Sequence, residues 1–190
     1  MKNRKYIYLI VFMIITLIST ACKISLGGNE PTAEPIPVSV DAAESIQTII
    51  DSAIITDGQS KSVAFTVTEE QITSYAVLEM AKRPESNISN PQIYLRDGKI
   101  DVYAIYTQEY FDINIHLTLQ AEIDANNELL VKIETVDLGN IPAPKSLLDT
   151  ISSLIDETIT NSLLPASTGF RMETIYIADG MATISGTMNP

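Results

Sequence analysis

Hydrophobic residues recur at helical spacing in one long stretch, from Pro144 to Leu164, and at alternate positions through most of the chain on either side of it. The stretch predicts one long helix. Leu147, Leu148, Ile151, Leu154, Ile155, Ile159 and Leu163 fall three or four apart, while Asp149, Ser152, Ser153, Asp156, Glu157 and Thr160 take the opposite side. Pro144 suits a first helical position, where no N–H is needed, and Pro165 blocks continuation. About twenty residues at about 1.5 Å each span about 30 Å, the width of a small domain.

Two shorter helices are predicted upstream. Asp41-Ala-Ala-Glu44 has a capping-box arrangement, with a stripe of Ile46, Ile49, Ile50, Ala53 and Ile54 behind it, ending at Asp57-Gly58. Thr68-Glu-Glu-Gln71 is a second capping box, opening a helix through Ile72, Tyr75, Ala76 and Met80 that stops near Pro84. The alternating segments read as strands: Ser62–Val67, Gln92–Arg96, Lys99–Tyr106, Glu128–Leu138, Gly169–Ala178 and Met181–Met188. Asp97-Gly98 and Asp179-Gly180 are hairpin turns. The clearest strand sets Phe111, Ile113, Ile115, Leu117, Leu119, Ala121 and Ile123 against Asp112, Asn114, His116, Thr118, Gln120 and Glu122. At about 3.3 Å per residue it would run roughly 40 Å. Long strands with one polar and one apolar face imply a sheet covered on one side, with the amphipathic helices as cover. The predicted class is therefore α+β: a long, strongly curved antiparallel sheet wrapped around one long helix in the C-terminal half, with two shorter N-terminal helices.

Composition divides the chain into residues 1–21, 22–40 and a single domain over 41–190. Met1–Lys5 is basic, Tyr6–Ile18 is apolar apart from Thr16, and Ser19-Thr20-Ala21 places small residues before Cys22. This resembles a bacterial lipoprotein signal, in which cleavage before a cysteine leaves that cysteine acylated. Ala21 and Cys22 match the pattern, and Ser19 departs from the aliphatic residue usual there. The alternative is an uncleaved signal anchor, although the apolar run is short against the roughly 20 residues that span a bilayer. Either way the expected location is outside the cytoplasm, in the cell envelope. Cys22 is the only cysteine, and exported cysteines otherwise come in disulfide pairs, so acylation suits it better than redox or metal chemistry. Gly27, Gly28, Pro31, Pro35 and Pro37 make 22–40 read as a flexible linker behind the anchor.

Charge and chemistry narrow the functional classes. The net charge is −12, and removing the three positive side chains of residues 1–21, Lys2, Arg4 and Lys5, leaves −15. Such an acidic chain is repelled by nucleic-acid phosphates, so no nucleic-acid partner is expected and the membrane partner is reached through acylated Cys22. The single histidine, His116, lies on the polar face of the longest strand and reads as a solvated residue. Asp124, Asn126 and Glu128 open like a calcium loop, but Leu129 and Thr135 stand where glycine and a bidentate glutamate are required, leaving a turn. Without a histidine partner for any serine, no catalytic residue, metal or cofactor is expected, and the chain reads as a non-enzyme.

Four motifs occur in order: Thr68-Glu-Glu-Gln71, Gln92-Ile-Tyr-Leu-Arg-Asp-Gly-Lys-Ile-Asp-Val102, Gly139-Asn-Ile-Pro-Ala-Pro144 and Ile175-Tyr-Ile-Ala-Asp-Gly-Met-Ala-Thr-Ile-Ser-Gly186. Together they resemble the bacterial TULIP-type (tubular lipid-binding) envelope proteins, the YpmS-like and LmeA-like groups in particular, over about Ser62 to Met188. The resemblance implies a curved sheet rolled around a long helix, with an apolar groove able to hold acyl chains and no shared catalytic residues. On that reading Ile113, Ile115, Leu117, Leu119, Leu147, Ile151, Leu154 and Ile155 are candidate lining for a lipid or other long apolar ligand. The alternative for the same residues is a packed core, in a structural or accessory envelope protein without a ligand. A protein partner is not specified by either reading.

Overall fold

The computed structural model describes residues 25–55, 62–83, 87–107, 111–158 and 170–188. Strands make up about half of them, in two separate sheets with three helices. In chain order the elements are β1 (Ser25–Gly27), α1 (Val40–Ile55), β2 (Ser62–Thr68), α2 (Glu69–Ala81), β3 (Ile88–Arg96), β4 (Lys99–Thr107), β5 (Asp112–Ile123), β6 (Leu129–Asp137), α3 (Lys145–Thr158), β7 (Phe170–Ala178) and β8 (Met181–Met188). The larger sheet runs β3-β4-β5 antiparallel, and the smaller is β2-β8-β7, also antiparallel.

The far edge of β5 is shared. β6 pairs antiparallel along His116–Ile123, and β1 pairs parallel along Asp112–Asn114. The two meet end to end on glycines. Gly139, at φ 65°, lies so close to the Gly27 carbonyl that a Cβ would collide with it, and a Cβ on Gly28 would collide with the Asp137 carbonyl. Residues 25–39, the described part of the segment that reads as a linker, thus join the sheet edge and then cross its polar face.

The fold differs from the expected helix wrapped by one curved sheet. The described part of the long helix is Lys145–Thr158, 14 residues, and the remainder of the predicted stretch, 159–164, lies outside the described residues. More decisive is the fate of β5, whose length serves two cores in succession. Ile113, Ile115, Leu117 and Leu119 pack in one cluster with Leu147 and Ile151 of α3, with Leu138, and with Ile88, Ala104 and Tyr106. Ala121 and Ile123, further along the same strand, pack against a second cluster built from Ile46, Ile50, Phe65, Val67, Leu95, Met172, Ile177, Ala182 and Ile184. The extra length carries β5 from one core to the next, so no curling around a helix is needed to bury it.

Local sequence explains the joints. The capping box at Thr68 forms in full: Gln71 N donates to Thr68 Oγ1 (3.3 Å) and Thr68 N to Gln71 Oε1 (2.9 Å). At α1 the cap is Ser39 instead of Asp41, its Oγ accepting from Ala42 N at 3.0 Å, because the helix begins one residue before Asp41. The Asp97-Gly98 and Asp179-Gly180 turns have positive φ at both residues, as tight hairpins require. They interlock: Gly180 N donates to Leu95 O (3.0 Å) and Gly98 N to Ile177 O (3.1 Å). Glu69 closes the joint, accepting from Leu95 N at 2.6 Å and pairing with Arg96.

Candidate functional site

The six described candidate lining residues are packed against one another. Leu147 has no exposed surface, Ile113 and Ile115 keep 2%, and Ile151, Leu117 and Leu119 keep 4 to 6%. Leu154 and Ile155 belong to α3, but their side chains lie outside the described residues, as does Cys22. The structure therefore brings six of the predicted residues together, as neighbours in a core.

A polar cluster lies on the opposite face of the same sheet. His116 is stacked on Tyr103, ring centroids 4.3 Å apart and planes within 1°, and Tyr103 meets Tyr94 edge-on at 5.7 Å. Asp101 Oδ1 accepts from His116 Nε2 at 3.0 Å and from Thr118 Oγ1 at 2.9 Å. Burial pushes the Tyr103 hydroxyl pKa up, with the Asp101 charge adding, and burial does the same to Tyr94 with help from Glu69. Both phenols stay protonated donors. The stretch after β1 crosses this face: Asn114 Nδ2 donates to Glu30 Oε1 (3.3 Å), Tyr94 OH to Glu34 O (3.2 Å) and Ile36 N to Gln92 Oε1 (2.7 Å).

His116 is thus half-buried and engaged, where its position in the sequence suggested solvent. Alternation placed it on the polar face, but its partners Asp101 and Tyr103 reach it only through the pairing of β4 with β5, which leaves no local signal. The geometry also speaks against a nucleophile relay. In such a relay the imidazole stands between carboxylate and hydroxyl, whereas here Asp101 stands between His116 and Thr118. Tyr94 of this cluster, with Gln92 and Asn114 beside it, fastens the strap that crosses this face after β1. Among the described residues no group of three or more His, Cys, Asp and Glu side chains is placed to hold a metal ion.

A third feature was not legible in the sequence. A half-open groove of about 440 Å³ runs between the Asp97-Gly98 turn, Ala121, and Ile175 to Asp179 of β7 and its turn. None of the six described candidate lining residues reaches it. Its walls come from the tips of both hairpins, which only the interlock brings together. At Asp124, Oδ1 accepts from Asn126 N (2.8 Å) and Glu128 N (2.9 Å), which makes the predicted turn a side-chain-closed one. No protein-family model, curated protein or solved structure matches this chain, and nothing in those comparisons identifies it with the tubular lipid-binding proteins its motifs resemble.

Proposed function

We propose that this chain is a lipid-anchored envelope protein that carries a non-catalytic, packed domain outside the cytoplasm and acts as a structural or accessory component. The observation that supports the accessory role over lipid carriage is the mutual burial of Ile113, Ile115, Leu117, Leu119, Leu147 and Ile151. An acyl chain needs empty apolar volume, and these side chains fill theirs with each other. The lone Cys22 after a basic and then apolar leader supports the anchor.

Two measurements test the reading. Thermal melts of residues 23–190 with phospholipid or free fatty acid are expected to show an unchanged midpoint; a rise with ligand concentration would restore the carrier reading. Labelling cells with a tagged fatty acid is expected to mark the full chain and to spare Cys22→Ala. Equal labelling of both would remove the anchor.

A further inference from the structure

The placement of β1 fixes more than an edge of the sheet. β1 runs parallel to β5 with Ser25 opposite Asp112, so Ser25, the first described residue, lies at the start of β5. That end of the domain also carries Thr107 at the finish of β4, Ile88 at the start of β3, and the C-terminus of α2, followed by Lys82 and Arg83. Only Lys23 and Ile24 separate Cys22 from Ser25, a reach of at most about 11 Å at about 3.6 Å per residue. Taking the anchored state proposed above, we infer that the domain is seated directly on the lipid surface by this end, with the opposite end held away from it.

The short tether selects this end, because exposed hydrophobic side chains occur at both: Phe111 adjoins the first residue of β5, and Leu130, Tyr176 and Met181 are exposed toward the other end. At the other end the turns carry Asp97, Asp124, Glu128 and Asp179, which an anionic leaflet repels. The 440 Å³ groove lies there too, between the hairpin tips. Twelve residues of β5 separate the ends, roughly 40 Å at about 3.4 Å each. Gly28 N donating to Asn114 O at 2.9 Å continues the pairing of β1 beyond Gly27, so the seating does not depend on a single bridge.

The test uses the full chain, acylation verified by intact mass, in vesicles of phosphatidylethanolamine and phosphatidylglycerol. Acylation consumes Cys22, so Thr107→Cys and Tyr176→Cys can each carry a fluorophore, one at each end. Nitroxide-bearing lipid is expected to quench the label at 107 several-fold more than the label at 176. A Gly/Ser insertion of about twelve residues between Ile24 and Ser25 should abolish that difference. Equal quenching in the acylated chain overturns the seating alone, and a difference that survives the insertion overturns the short tether as its cause. A chain without acyl mass overturns the anchor and the seating together.

Discussion

The two hydrophobic clusters are closed in different ways. The first is one face of the larger sheet covered by α3 and the turn at Leu138, with Leu147 and Ile151 as the helix's described contribution. The second gathers side chains from both sheets and from α1, and its strands are tied at the tips by the Leu95–Gly180 and Gly98–Ile177 bonds and by Glu69. One core is a lid on a sheet; the other is a joint between sheets. They are nevertheless continuous, because β3, β4 and β5 supply residues to both and Ile100 packs against both. The long strand β5 is therefore the mechanical link between the two cores.

The largest effects should come from emptying either core. Leu147→Ala in the first and Leu95→Ala in the second each remove a side chain with no exposed surface, at an expected cost of about 2–5 kcal/mol. Because the strands are shared, each variant should still unfold in one transition by calorimetry. Two separate transitions would show that the cores are independent. Glu69→Ala attacks only the joint, leaving Leu95 N without its acceptor and Arg96 without its carboxylate partner, and should cost about 1–3 kcal/mol. Hydrogen exchange should then rise at Leu95 and Gly180 well before it rises at Ile115.

Smaller effects sharpen the contrast. Thr68→Ala removes the α2 cap and should cost about 0.5–2 kcal/mol, read as a lower denaturant midpoint with an unchanged slope. Lys132→Ala breaks an exposed pair with Glu122 on the β5–β6 edge and should cost less than about 1 kcal/mol. The smallest is pH-dependent. The Glu128 backbone N–H, helped by the Asn126 backbone and side chain, holds the Asp124 carboxyl below the usual carboxylate range. A depressed folded-state pKa gives stability that is present above the unfolded-state pKa and lost as pH falls through the folded one. Asp124→Asn should therefore flatten the acid limb of the stability curve and leave the neutral region nearly unchanged.

Much of the local structure was legible because its causes are local. The Thr68–Gln71 box, both Asp-Gly hairpins, the Asp124–Glu128 turn and the alternation of β5 each depend on residues a few positions apart. What was hidden depends on distant partners. Alternation says that Ile115 and Ile123 face inward, but not that the first meets α3 and the second meets the smaller sheet. Ser25–Gly27 is too short to show a period, and its pairing with β5 rests on the close approach of Gly27 and Gly139 across more than 100 residues. β3 hid its role for a different reason: Gln92 and Tyr94 are buried on one face by the strap, and Ile93 and Leu95 on the other. With both faces covered, its residues give no single polar side to read.

The apolar face of β5 meets protein side chains, and the proposed accessory role requires that it take no ligand. Native mass spectrometry of residues 23–190, purified from cells without detergent, tests it most directly. The expected result is the mass of the bare chain, before and after organic extraction. A species heavier by the mass of a lipid, lost on extraction and restored by adding that lipid back, would contradict it.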